Sequence, residues 1–205
     1  MANINAAFGL RPYRMLGSGA NTNGDSVYNI QTAATAGSSS FIYFGQPVIP
    51  LSNGMIGPVA SATGGTTPLL GVFLGCNYVD LTGKPRWSPY WPKTAAAYAS
   101  SPATAIVAAH PDQAFLIACD AAAADTLVHT NADFAALTSG STVTGTSAGT
   151  LGVSTATTTN TLNLRILGFE DTPANSDAAS AGRLAIVLLN NHFYRYNANG
   201  TGAGI

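Results

Sequence analysis

The sequence predicts an all-β protein: a β-sandwich or barrel of short antiparallel strands with long loops, little helix and an extended N-terminal arm. Composition is the first indication, because Lys, Glu, Gln and Met are scarce while Gly, Thr, Ser, Asn and β-branched residues dominate. Patterning is the second, since short apolar or alternating runs recur along the chain, separated by Gly, Pro and Asn. This turn-rich pattern favours about eight to twelve short strands around one core.

We expect three parts: residues 1–25 as an N-terminal arm, residues 26–196 as a single β-rich domain, and residues 197–205 as a flexible C-terminal tail. The arm carries apolar side chains that could dock on another surface, and an extended chain of its length could clasp a neighbouring subunit. The Gly-rich segment 17–24 lacks the spacing of a dinucleotide-binding or phosphate-binding loop, so a linker or hairpin tip is favoured.

The first strands are predicted over residues 26–31 and 40–50. Asn53 and Gly54 follow as a two-residue hairpin signal between two apolar runs. A long, strongly apolar strand is predicted over residues 69–80. These segments should form the first half of the β-rich domain.

The stretch 69–92 gathers both tryptophans of the chain. Gly71 and Gly75 are expected to mark bulges or close packing within its strand, because glycine weakens a regular strand. Residues 84–93 contain three prolines, which cannot donate to a sheet ladder. We therefore expect this segment to be an edge strand or an irregular packed segment.

Two more strands are predicted over residues 104–110 and 113–120. Residues 114–119 are apolar at every position, as expected for a strand buried on both faces. The best helical candidate is the alanine-rich segment 121–137. The small polar residues of 138–160 should form strands and loops, because Val143, Leu151 and Val153 recur among them as apolar anchors.

The clearest alternation of the chain lies in residues 161–167. Leu162, Leu164 and Ile166 are predicted to face one side, and Asn163 and Arg165 the other, which is typical of a strand with one buried face. A last strand is predicted over residues 183–196.

Charge is sparse, with 8% charged residues, a net charge of −1 and a pI near 6.2. No basic stripe is present, so we predict no nucleic-acid binding. No run of 18 apolar residues is present, so we predict no membrane span. A surface with so few charges must be coated with small polar residues or covered in part by partners.

No catalytic or metal-binding constellation stands out in the sequence. None of His110, His129 and His192 has metal-ligand spacing to another His or Cys. Cys76 and Cys119 lie in apolar surroundings, which favours two reduced, buried thiols over a disulfide. Asp112, Asp120, Asp171 and Asp177 lie at predicted turns, where aspartate is favoured for local hydrogen bonds. We therefore predict no enzymatic activity, no catalytic or metal-binding residues and no cofactor.

The sequence predicts a candidate partner interface instead. Trp, Tyr and Arg are enriched at protein interfaces, and residues of all three types cluster in the proline-rich segment 84–93. Internal packing of this cluster is the competing interpretation, and stacking of Trp87, Tyr90 and Trp91 on sugar rings is a third. With the arm residues, the candidate interface comprises Phe8, Leu10, Arg11, Tyr13, Arg14, Arg86, Trp87, Tyr90 and Trp91.

Six motifs occur in a fixed order over nearly the whole chain: MANINAAFGLRP, LLGVFLGCNY, SPYWP, PDQAFLIACD, SGSTVTGTSAGTLGVSTATTTNTLNLRILG and AIVLLNNHFY. Together they resemble a family of tailed-bacteriophage head decoration, or cement, proteins that are encoded alongside the major capsid protein. The chain differs from this family in having fewer acidic residues. The resemblance brings no catalytic residues with it.

The resemblance implies a structural virion protein, made in the host cell cytoplasm and located on the capsid exterior. There it would bind the major capsid protein, as a homotrimer or another homo-oligomer, and stabilise contacts between capsomers. The alternative function is a carbohydrate-binding β-sandwich module on the virion surface.

Overall fold

The computed structural model describes residues 3–4, 6–17, 25–30, 40–59, 67–93 and 103–195. Within them, the helical structure is one 3-10 turn at Asp125–Leu127, and no helix is long and apolar enough to cross a membrane. The all-β prediction is confirmed. The strands are β1 (Arg11–Met15), β2 (Asp25–Ile30), β3 (Pro47–Pro50), β4 (Ile56–Pro58), β5 (Gly71–Val79), β6 (Pro85–Ser88), β7 (Ala103–Ala108), β8 (Gln113–Ala118), β9 (Asn131–Ala135), β10 (Thr150–Thr157), β11 (Leu164–Phe169) and β12 (Leu184–Leu189).

One sheet closes into a barrel. Its strand order is β3-β4-β2-β7-β5-β6, and an additional pairing of β3 with β5 completes the ring, leaving β6 as an appended edge strand. All pairs are antiparallel except β2 with β4, which meet in parallel at Ile30 and Ile56. The barrel interior is filled by apolar side chains that include Phe73, Cys76 and Trp91.

The second sheet is open and antiparallel, with the order β1-β8-β12-β11-β9-β10. All six residues of β8 are buried, which confirms the prediction from its uninterrupted apolar run. β11 alternates as predicted over Leu164, Arg165 and Ile166, with Arg165 exposed and the other two buried. Asn163, predicted to share the exposed face, is instead buried before the strand begins, where its amide donates a hydrogen bond to Asp133.

The two sheets share a hydrophobic core. Val72 and Ala108 point outward from the barrel and pack into the same cluster as Phe115, Ile117 and Ile166 of the open sheet. This contact covers one end of the barrel's outer face. The other end of that face carries the exposed residues described below.

Glycines shape β5 as the sequence predicts. A Cβ at Gly71 would stand 2.3 Å from the Ala108 carbonyl oxygen, so only glycine permits this approach of β5 to β7. The register of the two strands then shifts between Phe73 and Gly75, which is the predicted bulge. β6 is the predicted proline-rich edge strand.

The predicted helix over residues 121–137 is wrong. Beyond the short 3-10 turn, this segment forms β9, where Ala132 pairs with Leu164 and Phe134 with Leu151. The alanines favour a helix locally, but burial of Ala132 and Phe134 in the shared core outweighs that weak preference.

The predicted strand over residues 40–50 is shorter than expected. Only Pro47–Pro50 form a strand, while Ile42 and Phe44 make isolated bridges to Trp91 and Thr146. The hairpin at Asn53 and Gly54 is present, with β3 and β4 paired across it and Gly54 at a φ of 75°. The prediction for 17–24 falls almost entirely outside the described residues.

The predicted N-terminal arm needs correction. Strand β1 pairs with β8 inside the open sheet, and Leu10 is fully buried. Asn3 is tied to the same domain, because its side-chain amide donates a 2.7 Å hydrogen bond to the Asp177 carbonyl oxygen. The physical reason is the apolar strand β8, whose open edge would lose both hydrogen bonds and burial without β1.

The C-terminal strand also ends earlier than predicted. β12 stops at Leu189, and the following residues turn so that His192 bridges to Leu69. The expected flexible tail at 197–205 lies outside the described residues.

Replacing Leu10 with Ala should lower the free energy of unfolding by about 3 kcal/mol, because the substitution leaves a cavity in the shared core. Urea denaturation followed by far-ultraviolet circular dichroism measures this. Ile4→Ala is the matched control, since Ile4 is 69% exposed and should change stability by less than about 0.5 kcal/mol. Equal effects of the two variants would contradict the placement of β1 in the core.

Candidate functional site

The β5–β6 hairpin is held by the carboxylate of Asp80. Its Oδ1 accepts hydrogen bonds from the backbone N–H and hydroxyl of Thr82 and from the Lys84 N–H, at 2.9, 2.6 and 3.0 Å. Its Oδ2 accepts a 2.9 Å hydrogen bond from Arg86 Nε. The Thr82 hydroxyl and then Arg86 hold the pKa of the Asp80 carboxyl well below its usual range. This fixes the turn before Trp87.

Trp87 lies on the outer face of the barrel. It pairs with Asn77 across the hairpin, and its indole rests over Gly75, where an added Cβ would be 3.2 Å from Cζ2. The residue is 60% exposed. A shallow groove of about 270 Å³ runs beside the ring, with Asn77, Arg86 and Thr104 in its lining.

We call this surface the Trp87 face. It lies on the outer face of the barrel where the open sheet does not cover it, and it crosses three barrel strands, β2, β7 and β5, and the appended edge strand β6. The pairings place two rows side by side: a polar row that ends at Trp87 and an apolar row that ends at Gly75, beneath the Trp87 ring. Its members are Val27, Asn29, Asn77, Trp87, Thr104 and Ile106.

Trp91 has the opposite environment, because it is fully buried. Its ring meets Tyr78 edge-on at 5.7 Å between centroids, inside the barrel core. Tyr90 is half-buried and stacks with Tyr43 at 6.2 Å. The predicted aromatic cluster therefore divides: Trp91 serves internal packing, whereas Trp87 and Arg86 face solvent.

A second exposed surface follows strand β1. The Arg11 guanidinium lies 4.5 Å from the centre of the Phe8 ring, and the Arg14 guanidinium 5.7 Å from that of Tyr13. Both arginines are exposed, and no ion pair among the described residues involves either of them. We call this surface the β1 edge: Phe8, Arg11, Tyr13 and Arg14. Leu10, also a predicted interface residue, is buried beneath it.

Several other charged groups act within the fold. Arg183 is buried and forms ion pairs of 2.8 Å with Asp125 and 3.0 Å with Asp171. Arg195 is paired with Asp112. Because these charges are compensated internally, they contribute little to recognition of a partner.

The thiols and histidines show no reactive grouping in the described part of the chain. Cys76 and Cys119 are free and buried, and burial raises the pKa of each thiol to about 12. Both are therefore protonated and shielded at neutral pH, as predicted from their surroundings. Among the described residues, no three His, Cys, Asp or Glu side chains come together closely enough to hold a metal ion.

The sequence-based prediction missed part of the Trp87 face. Val27, Asn77 and Thr104 were not predicted as surface-site residues, because their common location depends on the order in which distant strands pair. One signal was present: Val27 and Asn29 alternate with Tyr28 and Ile30, which predicts opposite faces of a strand.

Acidification should destabilise the protein through His192. Burial lowers the pKa of this histidine to about 4, with further lowering by Arg195 and His110. The unfolded chain, with a histidine pKa of about 6.5, then binds a proton before the folded one does. The free energy of unfolding should therefore fall by about 3 kcal/mol as pH drops from 6.5 to 4.

Urea titrations at several pH values measure this effect. His192→Gln should flatten the pH dependence over this window. His129→Gln is the control, since it removes an exposed histidine. An unaltered slope in His192→Gln would contradict the assignment.

Comparisons with known proteins identify no relative from which the function of these two surfaces could be inferred. No protein-family model matches the chain, and neither does any curated protein or solved structure. The resemblance to head decoration proteins therefore stays a prediction that rests on the sequence motifs.

Proposed function

We propose that this chain is a structural virion protein, not an enzyme, that binds the outer surface of a phage capsid and stabilises contacts between capsomers. Its partner is the major capsid protein, and its location is the capsid exterior. The sequence motifs suggest this class, and the β1 edge is the structural observation that carries the proposal. There, two exposed arginines stack on two aromatic rings at the rim of a rigid sheet.

The scarcity of other charges supports this role. Eight basic and nine acidic side chains share an accessible surface of 9492 Å². Arg86, Arg183 and Arg195 are already bound in intramolecular ion pairs. Adhesion must then depend mainly on apolar and hydrogen-bonding contacts, which salt weakens only slightly.

The form of β1 favours side-chain recognition over strand addition. β1 is the terminal strand of its sheet, but Pro12 lacks an N–H group, and the register shifts between Pro12 and Arg14. An incoming strand would therefore find an interrupted ladder. Arg11 and Arg14, held against aromatic rings, instead present preorganised guanidinium groups to backbone carbonyls or carboxylates of a coat protein.

A homo-oligomer would strengthen such binding. We propose a trimer or another symmetric oligomer, in which each bound subunit holds its neighbours close to further coat sites. Modest affinity at each β1 edge is then sufficient for stable attachment to the capsid lattice.

The double variant Arg11→Ala/Arg14→Ala should lose about 30- to 1000-fold in affinity for expanded capsids, because interface arginines often contribute about 1–2 kcal/mol each. Co-sedimentation of purified protein with capsids that lack it measures this loss. The variant should also fail to raise the temperature at which those capsids disassemble.

The matched control is Lys84→Ala/Arg165→Ala, which removes the same charge from two other exposed positions. It should bind capsids like the wild type. Equal losses in both double variants would show a general charge effect and contradict the role of the β1 edge. Failure of the wild-type protein to bind expanded capsids would overturn the proposed function itself.

A further inference from the structure

We propose that the Trp87 face is a binding site for a neutral carbohydrate, with the indole of Trp87 as a stacking platform for a sugar ring. This activity goes beyond capsid attachment, which the β1 edge carries on the other sheet. Four features of the face favour such a ligand: the aromatic ring, the polar groups beside it, the compensated charge and the rigid support.

The ring is placed for stacking. Gly75 lets the indole lie directly over β5, where an added Cβ would stand only 3.2 Å from the ring, and Trp87 is still 60% exposed. The C–H groups on one face of a pyranose carry partial positive charge and are attracted to the electron-rich face of an aromatic ring. A single exposed indole supported from below offers such a surface.

A row of neutral hydrogen-bonding groups extends from the ring. The strand register places Asn29 opposite Thr104, Thr104 opposite Asn77, and Asn77 opposite Trp87. None of these amide and hydroxyl side chains makes a hydrogen bond to another described residue. Three strand spacings give the row a length of about 14 Å, which suits a short oligosaccharide better than one ring.

The charge of the site also favours a neutral ligand. The one charged side chain that lines the groove is Arg86, and Asp80 compensates it at 2.9 Å. Nucleic acid and acidic polymers would need uncompensated cations along the groove. Vicinal sugar hydroxyls, which both donate and accept hydrogen bonds, match the amides of Asn29 and Asn77.

The support is preorganised. Asp80 holds the turn through four hydrogen bonds, and β6 is paired with β5 along its length. Little conformational entropy is therefore lost on binding. The groove is shallow, however, so we expect a dissociation constant on the order of 1 mM per site. An oligomer on a capsid would bind a glycan-coated surface more tightly through its many copies.

The probes are four neutral trisaccharides: maltotriose, cellotriose, mannotriose and tri-N-acetylchitotriose. Saturation-transfer NMR on the full chain should detect binding of at least one of them. Trp87→Ala should weaken that binding at least 10-fold through loss of stacking, and Asn77→Ala about 3- to 10-fold through loss of hydrogen bonds. Tryptophan fluorescence should change on binding through Trp87, because Trp91 is fully buried.

Tyr13→Ala is the matched control, an exposed aromatic residue on the β1 edge. It should bind the trisaccharide like the wild type, and Trp87→Ala should still bind capsids. The proposal is overturned if none of the four sugars binds, or if Trp87→Ala binds them unchanged. It is also overturned if Trp87→Ala instead lowers capsid affinity or alters the oligomeric state, since the face would then contact protein.

Discussion

The packing of the open sheet against one end of the barrel is the contact on which the rest of the structure depends. At that end, the side chains of Val72 and Ala108 point outward from the barrel and pack in the same core as Phe115 and Ile117. Neither sheet could hide these apolar side chains alone. Because the contact covers one end of the barrel's outer face, it also decides which residues stay exposed at the other end.

Glycine makes that arrangement possible at two points on β5. Gly71 permits β5 to approach the Ala108 carbonyl oxygen near the shared core. Gly75 leaves room for the Trp87 indole at the exposed end of the same strand. The same strand therefore joins the structural and the exposed parts of the molecule. A larger residue at either position would move backbone or indole, because the space is already filled.

The two exposed surfaces differ in chemistry as well as in place. The β1 edge combines guanidinium groups with aromatic rings, whereas the Trp87 face combines one indole with neutral amides and hydroxyls. Most other arginines are compensated inside the fold. Sparse charge thus does not make the surface uniform; it concentrates recognition in a few side chains.

The sequence by itself determined the fold class, the burial of β8, the edge position of β6 and the special role of Gly71 and Gly75. These features follow from local patterns: alternation, uninterrupted apolar runs, prolines and glycines. The sequence also predicted arginine and aromatic residues as candidate contacts with a partner protein. It gave the wrong secondary structure for the alanine-rich segment, since local preference there is weaker than burial of Phe134.

Only the tertiary structure decided which of the neighbouring aromatics face solvent. Trp87 and Trp91 are four residues apart with similar surroundings in the chain, yet one lies over Gly75 and the other inside the barrel. Likewise, the N-terminal segment carries apolar side chains that could dock on another subunit, but β1 pairs instead with β8 of its own chain. Both outcomes depend on contacts between residues far apart in sequence, so no local pattern contains them.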